Sequence, residues 1–306
     1  MNNQVETAAP LWLVAAFFAA LAASAGMVFW MVARRRQGLA VLRYWPRRAV
    51  PWCGWDLLLV ALVYLFAANV ATAAVGWMLG PKQIQPLPGE VSTEHLIAQL
   101  IEGGSIWMLL LAFLSAAVVA PVVEEFFFRA LLQGWLEAAE RRRRRAIPWL
   151  RRIAPRAVGP IVLTSLLFAA MHVRPEMPKH QPLYLASLIV GQAVASLVAM
   201  ALGILLVRIR TGATARDLGW YAGPLLADVR LGLLAFLTMA GPIYFLYAVL
   251  ATLLPKGMVP DPVPLFFFAL ALGALYHRTH RIVPSVVLHM ALNVTSLLMA
   301  IATMGK

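Results

Sequence analysis

Long apolar runs separated by short polar gaps organise this chain. Runs of about 17–25 residues, enough to cross a bilayer as a helix, fall at 11–33, 55–79, 105–133, 183–207, 231–254 and 284–303. Two shorter runs lie at 158–172 and 263–277, nearer the lower limit. The pattern predicts eight helical spans, an all-α polytopic membrane protein. The gaps test that count. The first carries Arg34, Arg35, Arg36, Arg43, Arg47 and Arg48, and the third Arg141 to Arg145, Arg151, Arg152 and Arg156. The fifth has Arg208, Arg210, Arg216 and Arg230 against Asp217 and Asp228, and the seventh Arg278 and Arg281. The even gaps hold Lys82, Glu90, Glu94 and Glu102, then Arg174, Glu176 and Lys179, then Lys256 and Asp261. Basic excess falls in every odd gap, so the positive-inside bias predicts cytoplasmic odd gaps and two non-cytoplasmic termini. Met1 to Thr7 lack a basic n-region, and the first apolar run reads as a retained helix.

Composition agrees with the pattern. The chain is 62% hydrophobic and 13% charged, against about 25% charged in soluble domains. No sizeable aqueous domain fits. A net charge of +13 would suggest nucleic acid, but the arginines sit in short gaps, as topology requires, and no nucleic-acid fold fits between the spans. Arg141 to Arg145 read as a headgroup-facing cluster on a helical extension of the third span. Cys53 is the only cysteine, which rules out an intrachain disulfide and a cysteine metal cluster. Pro86 to Gly89 and Pro175 to Pro182 read as ordinary loops.

Ionisable residues inside the spans are the exception to explain, because each costs roughly 2.5–3.5 kcal/mol on insertion scales. Glu124 and Glu125 lie far along the third run and point about 100° apart on a helix, so they cannot share a role. Glu125 has Arg129 at i+4, the favourable acid-before-base order for an internal ion pair. Glu124 has only Phe128 at that spacing, and an unpaired carboxylate in low dielectric suits a general base or acid. Pro121 should bend the helix and free a backbone carbonyl beside it. Phe168 and His172 share one face of the fourth span, and His289 and Asn293 one face of the eighth. A single buried histidine is ordinarily structural. Glu124, His172, His289 and Asn293 together point to a site, though a transport pathway could use the same residues.

Glu124-Glu125-Phe-Phe-Phe-Arg129, Phe168-Ala-Ala-Met-His172 and His289-Met-Ala-Leu-Asn293 resemble the three motifs of the CPBP family of intramembrane proteases, which includes the type II CAAX prenyl endopeptidases. Single motifs of this kind are weak, whereas three in order on apolar spans are specific. Residues Phe266 to Asn293, with Gly273, Tyr276, Arg278-Thr279 and Pro284-Ser285, also look like the family's last helix pair. The resemblance implies endoproteolysis of membrane-associated or lipidated protein or peptide substrates within the lipid bilayer. By it, Glu124 and His172 activate water, His289 and Asn293 stabilise the oxyanion, and Glu125, Arg129 and Phe168 support them. No His-Glu-x-x-His zinc helix occurs. Glu124, His172 and His289 could still hold a divalent metal such as zinc, and metal-free and metal-bound hydrolysis stay equally open. The alternative is a non-proteolytic transporter or scaffold retaining the polar site. The setting expected is a bacterial plasma membrane.

The chain divides into an N-terminal helix pair and outer loop (1–104), a first core part (105–178), an intervening helix pair (179–258) and a second core part (259–306). Residues 173–288, 116 in all, separate the second motif from the third, where the family ordinarily has a short loop. At about 1.5 Å per residue, Glu124 and His289 fall near the cytoplasmic end of their spans. A fourth span starting at Val158 would then carry His172 beyond mid-membrane. Closure of the site therefore requires that span to begin around Arg156 or earlier.

Overall fold

A computed structural model describes residues 11–46, 48–80, 91–92, 100, 105–147, 155–173, 177–178, 180–221, 223, 225–254 and 261–304. The amino-terminal seven residues, the loop 86–89, and Arg47, Lys82, Glu90, Glu94, Glu102, Arg151, Arg152, Arg174, Pro175, Glu176, Lys179 and Lys256 lie outside them.

Each apolar run becomes a helix. They are α1 (Leu11–Arg36), α2 (Gly54–Leu79), α3 (Ile106–Ala146), α4 (Val158–Met171), α5 (Pro182–Thr211), α6 (Leu225–Leu253), α7 (Pro262–Thr279) and α8 (Ile282–Met304). Six are long and apolar enough to cross a membrane; α4, with 14 residues, and α7, with 18, are not among them. Local chemistry marks the ends. Ser105 Oγ accepts the Met108 N–H at the start of α3, and Pro182 and Pro262 open α5 and α7 at the position where a missing N–H costs nothing. Gly212, at φ 65°, ends α5.

α3 is the axis of the molecule. Phe126, Ala130, Leu131 and Ala138 of α3 share a buried core with Val60 of α2, Val207 of α5 and Ile282 and Val286 of α8, while Phe128 packs with Phe168 of α4 and Ala269 of α7. Around it α1 lies on α6, α6 on α8, and α4 on α7. Small residues permit the closest approaches, as lipid-embedded helices require. A Cβ on Gly232 of α6 would stand 2.7 Å from Pro284 O of α8, and one on Gly241 would stand 2.6 Å from Ser24 Oγ of α1.

Two stretches of α3, Ser115–Val119 and Phe126–Gln133, widen into π turns with i→i+5 hydrogen bonds. The α-helix drifts about 40° over every four residues. The wider turn removes much of that drift, so Glu125, Arg129, Gln133 and Glu137, each four apart, all stay buried.

The odd gaps assemble at one end of the bundle. Trp45 N–H bonds Arg278 O at 2.9 Å, Arg48 clasps Asp217 through two hydrogen bonds, Arg281 pairs with Asp228 at 2.7 Å, and Ile282 N–H reaches Gly219 O at 3.1 Å. At another place the second and fourth gaps meet, in a two-residue antiparallel pairing of Val91–Ser92 with Met177–Pro178. Alternating helices produce this segregation.

α3 runs on to Ala146, carrying the Arg141 to Arg145 cluster on the expected extension, and it is the requirement of a fourth span beginning at Arg156 or earlier that fails. Glu140 Oε2 accepts the Ala157 N–H at 2.8 Å, and Arg144 Nη2 donates to Pro155 O at 3.0 Å. So α4 starts level with Glu140, sixteen residues or about 24 Å beyond Glu124. The fifteen residues from Ala157 to His172 return about 22 Å. A start at Val158 is therefore compatible with closure.

Candidate active site

The wall of the site is α3. At its first π turn the Ala120 N–H reaches back to Ser115 O, and Pro121 has no N–H, so Ala116 O loses its helical donors. Asn293 of α8 fills that deficit, donating from Nδ2 to Ala116 O at 2.9 Å. This is the carbonyl that Pro121 was expected to free. One N–H of the Asn293 amide is thus committed to positioning α8 on α3, and its second N–H is the one left for other chemistry.

One turn on, Glu125 and Arg129 form a fully buried pair, Oε2 to Nε 3.4 Å. Arg129 Nη1 also donates to Thr164 Oγ1 of α4 at 3.2 Å, whose hydroxyl in turn donates to Pro160 O, and the guanidinium lies 5.8 Å from the Phe168 ring centroid. The second Glu125 oxygen accepts from His289 Nδ1 at 3.1 Å. A single carboxylate therefore holds an arginine on its own helix and a histidine on another.

Glu124 faces the other way, with its side chain partly open, and two imidazoles converge on its Oε2. His172 Nε2 is 4.0 Å away and His289 Nε2 3.8 Å. Both rings are fixed from behind. His172 Nδ1 lies 2.7 Å from Phe168 O, and a carbonyl can only accept, so Nδ1 carries the proton. His289 Nδ1 donates likewise to Glu125. It is therefore the Nε2 of each ring that faces Glu124. Phe168 lies over His172, ring centroids 4.5 Å apart, and meets His289 edge-on at 5.6 Å, and Phe268 packs edge-on against His289 at 5.4 Å.

The separations of 3.8 and 4.0 Å are too long for direct hydrogen bonds and match the spacing spanned by one water-sized group. They do not match a zinc tetrahedron, whose ligand edges are about 3.3 Å for bonds of 2.0–2.1 Å. Nor do these three donors all come within 4.8 Å of one another. As arranged, Glu124, His172 and His289 do not fit a metal.

The residues expected at the site come together: Glu124, Glu125, Arg129, Phe168, His172, His289 and Asn293 draw on α3, α4 and α8. Sequence reasoning missed Thr164, which anchors Arg129, and Gln133 and Glu137, which continue the buried polar stripe. The four-residue spacing of 125, 129, 133 and 137 was the available signal, hidden because it drifts around an ordinary helix.

The model of one family, the type II CAAX prenyl endopeptidase Rce1-like family, matches residues 106–215 and 219–295. The chain belongs to this family. The match takes in all three motifs and includes α5 and most of α6 to α8. Membership implies a CAAX-protease-type enzyme, and with six apolar helices it identifies an integral, multi-pass membrane protein. No curated protein and no solved structure matches the chain.

Proposed function

We propose that the protein is an intramembrane endopeptidase that hydrolyses peptide bonds of membrane-associated or lipidated substrates by metal-free, glutamate-activated attack of water. The observation that carries this reading is the convergence of two back-anchored imidazoles on Glu124 Oε2, at 3.8 and 4.0 Å.

Water held between Glu124 and His172 gives its proton to the Glu124 carboxylate as its oxygen attacks the scissile carbonyl carbon. The tetrahedral oxyanion lies toward α8, where His289 in its protonated form donates from Nε2. Glu125, already accepting the Nδ1–H, stabilises that imidazolium. The uncommitted N–H of Asn293 is a second donor. When the tetrahedral intermediate collapses, the C–N bond breaks and Glu124 returns its proton to the leaving amine. Glu125, Arg129, Thr164 and Phe168 hold these groups in place without touching substrate. The arginine-rich loops gathered at one end of the bundle favour cytoplasmic odd gaps.

Cleavage of a membrane-anchored reporter peptide by purified wild-type, Glu124→Gln, His172→Ala and His289→Ala proteins tests the assignment. Loss in the variants supports it; undiminished cleavage in all three would falsify it.

A further inference from the structure

We propose that Glu137, His277 and His280 form a second site, separate from Glu124, that binds a divalent first-row transition metal, with zinc the best geometric match. The inference does not depend on the protease reading.

The three side chains come from parts of the chain far apart in sequence. Glu137 lies on the extension of α3, His277 in the last turn of α7, and His280 at the α7–α8 turn. Glu137 Oε2 stands 3.3 Å from His277 Nδ1 and 3.2 Å from His280 Nε2, and the three atoms all lie within 4.8 Å of one another. Those two edges equal the ligand–ligand edge of about 3.3 Å in a zinc tetrahedron with bonds of 2.0–2.1 Å. Among the described residues this is the one cluster of three such donors so close together.

The hydrogen bonds behind the donors point the same way. His280 Nδ1 lies 2.6 Å from Trp45 O and donates to it, while Nε2 lies 3.2 Å from Glu137 Oε2 in a hydrogen-bonded contact where a bound metal would take the place of the Nε2 proton. His277 Nδ1 is buried and, despite its proximity to Glu137, makes no hydrogen bond. Three possible ligand atoms therefore converge, each able to bind a metal once its proton is displaced. Glu137 Oε1 is taken by Gln133 Nε2 at 3.0 Å, and the same Gln133 amide donates to Gly273 O at 2.9 Å, which orients the carboxylate and leaves Oε2 as the ligand atom. A histidine anchored through its second nitrogen to a carbonyl, and a carboxylate held by an amide, are the outer-shell supports that metal ligands require. Two imidazoles and a carboxylate suit zinc and its neighbours rather than magnesium or calcium.

Tyr44 borders the cluster, with ring centroids 5.4 Å from His277 and 5.7 Å from His280, and His277 keeps 17% of its side chain exposed. A metal here ties α3 to the turn that launches α8, and through Trp45 O to the linker between α1 and α2. It would brace the two helices that carry Glu124 and His289.

The test uses the full-length protein in detergent, stripped of metal with a chelator and then titrated with Zn²⁺ and separately with Co²⁺. We expect one metal per chain, a rise in thermal stability on binding, and cobalt ligand-field absorption of a four-coordinate nitrogen–oxygen site. His277→Gln and His280→Gly should abolish these. At φ 48° His280 occupies backbone that glycine adopts freely, so His280→Gly removes the imidazole while relaxing the turn and remains a folded probe. Gln133→Ala should weaken affinity about 10–100-fold. Glu124→Gln should leave binding intact. Failure of folded wild-type protein to take up either metal overturns the proposal. So does uptake that survives both histidine variants, or that disappears with Glu124→Gln.

Discussion

The backbone N–H of Ala157 donates to Glu140 Oε2 at 2.8 Å, and this contact sets where His172 ends. It begins α4 level with the extension of α3, so a 14-residue helix is just long enough to bring its last turn to Glu124. Glu140→Ala should misplace His172 rather than remove any reacting group. Stability should fall by about 1 kcal/mol, as for a lost helix cap, and kcat by about 10- to 100-fold. Reporter cleavage alongside thermal unfolding checks it, and a variant with wild-type kcat would refute the positioning role.

At the reacting groups the magnitudes should differ by role. Glu124→Gln removes the general base and should lower kcat by about 10²–10⁴-fold. His289→Ala removes an oxyanion donor, worth about 10²–10³-fold. In both, KM should change far less than kcat, which single-turnover kinetics on the reporter peptide would show.

The Glu125–Arg129 pair is wholly buried, so breaking it from one side leaves an uncompensated charge. Arg129→Met should cost about 3–5 kcal/mol. Adding Glu125→Gln should recover much of that stability while activity stays low, because His289 loses the carboxylate behind it. Thermal unfolding of the single and double variants in detergent separates the two effects.

Asn293 and Pro121 should be energetically coupled although they do not share a helix. Asn293→Leu leaves Ala116 O without its donor, at a cost of about 1 kcal/mol. With Pro121→Ala a backbone N–H becomes available to the π turn, and the same Asn293 change should cost less. A double-mutant cycle with no coupling would show that the proline is not what exposes the carbonyl.

Asp217 accepts two hydrogen bonds from Arg48, and together with Thr214 this guanidinium holds its carboxyl well below the usual carboxylate range. A native value below the unfolded 3.8 means that the unfolded chain binds the extra proton. The contact's contribution is therefore fully present at neutral pH and lost as pH falls below 3.8 toward the depressed native value. Asp217→Asn should lower stability at pH 7 and flatten the acid limb. Unfolding midpoints measured from pH 7 down to about 3 would reveal an unchanged limb if the pairing were idle.

Periodicity and spacing were enough for the local part of this protein. The apolar runs located all eight long helices among the described residues, because crossing a bilayer demands length and greasiness that composition records directly. The i+4 geometry of one helix likewise made the Glu125–Arg129 pair and the Phe168–His172 stack readable. Three motifs in order were enough for the family. The depth of His172 was not readable, since it depends on how far α3 outruns its apolar stretch and on Glu140 catching the chain at Ala157. Nor was the loose 3.8–4.0 Å spacing around Glu124, which argues against a metal there. Glu137, His277 and His280 were invisible for the same reason. Their 3.2–3.3 Å contacts join a π-wound helix to a turn some 140 residues away. Hydrophobic pattern and helical spacing act within one segment, so the sequence by itself determined the helices and their chemistry. Which helix docks against which, at what height and with how many residues per turn, is settled only when all of them compete for the same buried face of α3.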